Sequence, residues 1–279
     1  MDRPVFAGDN LFSVTQYPLH VIDASEAPLG HDSSFVANGR RSSANYATAI
    51  TTNLDYWIRA ALDRMRAFNY CALDRNHNVG GKPVQLQLSD DNAIWTNVLN
   101  LVVPPNTATG SLDDPYGAVT EDGAWLIRFP ARTANFVRFY VPAMGAGLAP
   151  RIVGLWCGLS YSPLHLYRPH AVDQNVMSVE ETVLPSQWRS QSRKYFGRQG
   201  SVKLRMADWH EYELARYHLQ FVFGAGRPTW IVHDEDQADR AVLAMRPGNS
   251  LLGLGRESGA NWVYPLGQVD WVEWEPVSG

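Results

Sequence analysis

The chain predicts a mainly β protein: a two-layer β-sandwich followed by a smaller β-rich unit that contains one helix. Three observations predict it. Apolar and polar residues alternate with a period of two at Val84–Ser89, Ser201–Met206 and Gln268–Glu275, as in half-buried strands. Gly, Asn, Asp and Pro cluster between such runs, where turns need positive φ or local side-chain hydrogen bonds. A helical pattern is found in one stretch, Trp209–Phe223. A hydrophobic fraction of 45% with 19% charged residues is that of a folded chain rather than a disordered one.

Taken in order, residues 1–34 mix Pro4, Pro18, Pro28, Gly8 and Gly30 with short apolar pieces such as Leu19–Ile22. They read as an extended N-terminal lead-in, lying on the sandwich edge or on a neighbouring subunit. The sandwich spans 35–162. Two Thr/Ser-rich stretches precede Tyr56-Trp57-Ile58. Tyr70–Leu73 is a short continuous apolar run, expected where both faces of a strand are covered. Asp74–Asn78 and Gly80-Gly81 form the turn into the strand at 84–89, and Asp90-Asp91 close it before Trp95. Residues 104–123 form a loop long enough to suggest a contact role. Two further strands follow at Ala124–Phe129 and Phe136–Pro142, and a closing strand at Arg151–Gly158. Pro163 and Pro169 mark the boundary within 159–169.

The second unit spans 170–279. Asp208 is placed to cap a helix from Trp209, with Leu214, Tyr217, His218 and Phe221 on one face at helical spacing. Gly224 and Gly226 end it, and Pro228–His233 returns as a strand.

The run Ala72-Leu-Asp-Arg-Asn-His-Asn78, then Gly80-Gly81, Val84-Gln-Leu-Gln-Leu-Ser-Asp-Asp91 and Trp95-Thr96, resembles the discoidin or galactose-binding-like jelly roll. It is most similar to the variant of that domain found in tailed-phage tail proteins. Ala124–Phe129, Phe136–Pro142 and Arg151–Gly158 fit its later strands. The order strand, helix, Gly-Arg-Pro-Thr-Trp strand in the second unit resembles, more loosely, a β-rich assembly domain of phage tail-tip and baseplate proteins. The resemblance implies a galactose-binding-like sandwich and a virion structural role.

Charge excludes some partners. The net charge is −4, and residues 1–162 carry 12 basic and 14 acidic side chains, as do residues 163–279. Neither half has the basic excess of a protein that neutralises many phosphates, so no nucleic acid is expected. No apolar stretch approaches the roughly 20 residues that span a bilayer, so no membrane insertion is expected. The N-terminus lacks a signal-peptide pattern and the chain lacks an Asn-x-Ser/Thr sequon; synthesis in a reducing host cytoplasm is the simplest account. Cys71 and Cys157 read as buried thiols, with a disulfide open to them only if their strands are neighbours.

Each candidate for chemistry has a simpler structural reading. Asp74, His77, Asp90 and Asp91 fit turn-forming roles better than an acid–base or calcium site, and the Asp113-Asp114 pair lacks the spacing of a known calcium loop. Cys71 with His77 lacks the exposed, electropositive setting of a nucleophilic thiolate. His210-Glu211 has no second histidine four residues on, and His210 and His218 stand two helical turns apart. His165 and His170 flank the linker with no cysteine near them. Glu180-Glu181 and Glu273/Glu275 do not form a glycosidase pair, and Gly253–Gly259 has the wrong spacing for a dinucleotide loop. Trp57, Trp95 and Trp125 lie at strand positions and are expected in the core; Tyr116 is the better surface aromatic. No catalytic, cofactor-binding or metal-binding residue is assigned, no cofactor is expected, and the binding residues stay unassigned.

The expected function is a non-enzymatic structural component of a tailed-phage tail, at the tip or baseplate, acting through protein–protein interfaces. Its partners would be other tail or baseplate proteins and further copies of itself within the virion. The alternative is a carbohydrate-binding module for host-surface adsorption, with a host glycan as partner.

Overall fold

In a computed structural model, the described residues are 4–37, 46–49, 52–74, 77–103, 124–145, 147–163, 165–166, 171–183, 189–205, 209–223, 227–232, 242–245 and 267–273. Strands β1 (Val5–Ala7), β2 (Val21–Ala24) and β3 (Ala47–Thr48) come first, with a 3₁₀ turn at Ser33–Ala37 between the last two. Then follow β4 (Tyr56–Leu73), β5 (Pro83–Ser89), β6 (Thr96–Val102), β7 (Trp125–Val141), β8 (Arg151–Ile152) and β9 (Leu155–Gly158). The remainder is β10 (His165–Leu166), β11 (Ala171–Val183), β12 (Arg189–Arg205), α1 (Trp209–Ala215), π-helical turns over Arg216–Val222, β13 (Thr229–Val232), β14 (Val242–Met245) and β15 (Gly267–Glu273). The fold is mainly β with one short helix, as the sequence pattern predicts.

The sandwich is organised by β4 and β7, which pair antiparallel along their length and belong to both layers. Their first ends pair Tyr56–Ala61 with Phe136–Val141 inside a sheet of order β2-β4-β7-β5-β6. Their other ends pair Tyr70–Leu73 with Trp125–Arg128, and β9 joins β4 there. Register shifts between Ala61 and Arg66, and between Phe68 and Tyr70, turn the strands from one layer to the other. The sequence pattern expects two strands where β7 is one. Pro130, which has no N–H to give a ladder, lies within β7 beside the second of these shifts, where a missing bond is tolerated.

Alternation fills the space between the layers. Tyr56, Ile58, Ala60, Val84, Leu86, Val137, Phe139 and Val141 point inward from the five-stranded sheet. They meet Cys71, Leu73, Trp125, Leu155 and Cys157 from the second layer, with Ala47 and Ile152 from the paired β3 and β8. The run Tyr70–Leu73 is covered on both faces, as expected. Cys71 and Leu73 face this core, while Tyr70 and Ala72 face a second core with Leu126, Trp156, Val5, Ala7, Trp230, Val232 and Leu243.

That second core brings in the other sheet, of order β1-β13-β14-β15-β12-β10 with β11 on β12. The N-terminal lead-in is therefore not peripheral where it is described. Val5–Ala7 pair with Trp230–Val232, and Phe6 bridges Tyr161 by reciprocal backbone bonds of 2.8 Å. Leu11 N–H then donates to Cys157 O at 2.7 Å, and the Asn10 side chain bonds Leu155 and Cys157. Gly158 leaves room for this clasp, because a Cβ there would sit 2.2 Å from Asp9 O.

The helix packs on the far side of the second sheet through Ala215, Leu219 and Phe223, against Phe6, Tyr161, Ile231, Ala244, Val269 and Trp271. The sequence pattern places its buried face only in part: His218 is buried as expected, and the Phe221 side chain lies outside the described residues. Leu214 and Tyr217 are exposed, while Glu211, Ala215, His218, Leu219 and Val222 are buried. The π-helical turns, in which Phe223 N–H reaches His218 O as well as Leu219 O, rotate the face away from regular 3.6-residue spacing.

Candidate ligand-binding face

The inner side chains of the five-stranded sheet are committed to the core, so alternation sends their neighbours to the opposite face. Strand register lines these neighbours up. Asp23, Arg59, Arg138, Gln87 and Asn97 form one row across β2, β4, β7, β5 and β6. Trp57, Tyr140, Gln85 and Asn100 form the next row. Four inter-strand steps make the first row about 19 Å long, and three make the second about 14 Å. Trp57, Arg59, Arg138, Tyr140 and Gln85 are half-buried, and Asn97 and Asn100 are exposed.

The side chains hold one another in place. Asp23 accepts two hydrogen bonds from Arg59, one of them Nε to Oδ1 at 2.9 Å, and Asn92 accepts a third at 2.6 Å. Arg59 also lies 5.2 Å from the centre of the Trp57 ring. Arg138 lies 4.0 Å from the Trp95 ring centre and 5.4 Å from that of Tyr140, both within cation–π range. Its Nε donates to Gln87 Oε1, and Gln87 Nε2 donates to Gln85 Oε1 at 2.7 Å and Asn97 Oδ1 at 2.8 Å. Burial, followed by the neighbouring Arg59, lowers the Arg138 pKa from its ordinary value, which still leaves it cationic. Tyr140 donates to Asp55; burial first, then this bond and the Asp55 charge, push its phenol up to about 12. The face thus combines two indole rings, a phenol, two guanidinium groups and several amides on a rigid sheet.

Two of the three tryptophans expected in the core line this face. Trp125 is core, at 4% exposure, but Trp57 and Trp95 are half-buried on the outside. Trp57 lies between inward-facing Tyr56 and Ile58, so its parity is outward. The local signal was the alternation of Trp57 and Arg59 with Tyr56, Ile58 and Ala60. What sequence could not supply is the register that sets these beside Arg138, Tyr140 and Gln87.

The other candidates do not assemble. Asp91 caps its turn, accepting from Ser89 Oγ and from the N–H groups of Ala93 and Ile94 at 2.9 Å each, and these bonds lower its pKa. Asp74 and His77 are buried, at 1% exposure each. Cys71 and Cys157 stand opposite each other on β4 and β9 as free, fully buried thiols, and burial raises both pKa values. His210 is exposed and His218 buried. Among the described residues no three His, Cys, Asp or Glu side chains are placed to share a metal ion. No helix among them is long and apolar enough to cross a membrane. Residues 104–123, with Asp113, Asp114 and Tyr116, lie outside the described residues, as do Asp208, His170, Glu275 and Gly253–Gly259. So do the side chains of His165, Glu180, Glu181 and Glu273.

No family model and no curated protein matches the chain. Solved structures do, over about half of it. Chitosan-binding module 1 of a chitosanase/glucanase from Paenibacillus sp. IK-5 is similar at 20% identity, over 53% of this chain and 97% of that one, with a TM-score of 0.39. The family 32 carbohydrate-binding module of C. perfringens NanJ, in complex with galactose, is similar at 12% identity, over 51% and 93%, with a TM-score of 0.39. A pectin-binding carbohydrate-binding module is similar at 12% identity, over 49% and 88%, with a TM-score of 0.35. Likeness at this level transfers no ligand to the present chain.

Proposed function

We propose that the chain is a non-enzymatic carbohydrate-binding module, serving adsorption to a glycan-bearing host surface, and that its glycan lies across the outer face of the five-stranded sheet. The observation that carries this is the in-register pair of rows running from Asp23 to Asn97 and from Trp57 to Asn100. Aromatic faces are negative and receive the C–H side of a sugar ring, while guanidinium and amide groups beside them bind its hydroxyls. Polar groups that already bond one another cost little ordering when a ligand arrives. A glycan array probed with the full-length chain tests the reading. Binding to one or more glycan classes, weakened by Trp57→Ala, is expected; a blank array at high protein concentration would overturn it.

A second reading, a tailed-phage tail-tip or baseplate component, is favoured by a different feature. β12 pairs with β15 only over Gln199–Leu204, while β11 pairs with it down to Arg189. Among the described residues, Arg189–Arg198 and its β11 partners therefore form a two-stranded ribbon standing beyond the sheet. Such ribbons are marginal alone in water and gain from docking on another protein. Immunogold labelling of phage-like particles from the source tests this: label at the distal tail supports it, and antigen found only free of particles removes it.

A further inference from the structure

We infer that the sheet face selects a carboxylate-bearing sugar, with the Arg138 guanidinium receiving the carboxylate. The inference deepens the glycan-binding reading and rests on it.

Two observations lead there. The first is a guanidinium on the face that no carboxylate among the described residues pairs. Arg59 and Arg138 are neighbours in one row, yet Asp23 neutralises Arg59 alone. Asp55, the other carboxylate beside the face, accepts from Tyr140 and from Ala143 N–H. Among the described residues Arg138 has no carboxylate partner, and its two terminal nitrogens have no acceptor. Only its Nε is engaged, with Gln87.

The second is the direction of the hydrogen bonds. A guanidinium can only donate, so Gln87 must turn Oε1 toward Arg138. Its NH₂ end is then fixed as donor to Gln85 Oε1 and Asn97 Oδ1. Each of those amide oxygens already accepts one bond within the network, and among the described residues each NH₂ group has no acceptor and is left to donate to a ligand. Arg138 thus orients Gln87 in its own row, which sets Asn97 beside it and Gln85 in the next row, and Arg138, Gln85 and Asn97 all present donors. A sugar hydroxyl can accept from these donors, but a charged oxygen accepts more strongly. A carboxylate is acceptor-only and matches the bidentate fork of Arg138. Trp95 lies over the same guanidinium and excludes water from one side, which strengthens the pairing.

The test uses calorimetry on the full-length chain with three acidic probes: trigalacturonate, a hyaluronan tetrasaccharide and sialyllactose. Neutral counterparts are trigalactose, tetra-N-acetylchitotetraose and lactose. At least one acidic probe should bind about tenfold or more tightly than its counterpart, the margin of one charge-assisted bond. That margin should shrink with added salt. Arg138→Gln should remove it, lowering affinity for the acidic probe far more than for its neutral counterpart, and Arg138→Lys should restore only part of it. Gln85→Ala with Asn97→Ala should narrow it while leaving the guanidinium in place, and melting curves check that each variant is folded. Equal affinity for acidic and neutral sugars, both weakened by Trp57→Ala, would overturn the carboxylate assignment and leave the glycan reading intact. Failure of every sugar would overturn both. Binding of a glutamate-rich peptide as tight as the best acidic sugar would show the face to be a protein-docking surface instead.

Discussion

The two ends of the β4–β7 ladder share one pairing and one inner core, yet their outer faces meet opposite fates. At Tyr70–Leu73 and Trp125–Arg128 the outward residues Tyr70, Ala72 and Leu126 are buried under Trp230, Val232 and Leu243 of the second sheet. At Tyr56–Ala61 and Phe136–Val141 the outward residues Trp57, Arg59, Arg138 and Tyr140 remain half-exposed and bond one another. The inward residues are apolar at both ends. In β4 the outward residues change from odd to even positions across the Phe68–Tyr70 register shift. The side on which each strand's outward residues fall therefore decides whether a face becomes a joint between sheets or a surface for a ligand.

Substitutions at the covered end should break stability and leave the open face alone. The largest effect is expected from Trp230→Ala, which empties a fully buried site between the sheets. Its cost should be about 3–5 kcal/mol in urea unfolding.

Acid should act on the far side of the second sheet, under the helix. Burial pulls His218 from its ordinary 6.5 down to about 4. Unfolded chains therefore take up the proton more readily, so stability present above pH 6.5 is lost as pH falls toward 4. The loss approaches about 3 kcal/mol. The ring stacks on Tyr161 at 5.8 Å, which His218→Phe should preserve. This variant should unfold with a flatter pH dependence between 6.5 and 4, read from urea midpoints.

Gly158→Ala sharpens the comparison at the N-terminal clasp. Its Cβ would meet Asp9 O, a backbone atom that cannot move without unseating the clasp. A loss of about 1–3 kcal/mol is expected, with the clasp amides of Leu11 and Cys157 exchanging faster with solvent. Trp57→Ala should be the mildest in stability, within about 0.5 kcal/mol in urea unfolding. It should nevertheless weaken glycan binding about tenfold, as loss of an aromatic anchor does.

Much of the sandwich was legible because its strands alternate. Val84, Leu86, Phe139 and Val141 announce their inward faces, and Tyr70–Leu73 announces a strand covered twice. Pairing across long sequence distances was not legible. Val5–Ala7 is too short to show periodicity, and its partner lies more than two hundred residues away at Trp230–Val232. The helix face is legible only in part, at His218, because the π-helical turns change the spacing on which an i, i+3, i+4 reading depends. The candidate face was hidden for a related reason. Trp57 looked like core until the register placed it beside Tyr140 and next to Arg59, opposite a core already filled by Tyr56 and Ile58. The Arg138–Gln87–Asn97 chain joins three strands and has no local trace in any one of them.

The most direct test of a binding face on the open end is an NMR titration that follows the tryptophan indole N–H signals. The full-length chain would be titrated with the best glycan from the array. Trp57 and Trp95 should shift and saturate together, with Trp125, Trp156 and Trp230 unmoved. Saturable binding that leaves Trp57 and Trp95 in place would put the ligand elsewhere and contradict the assignment of this face.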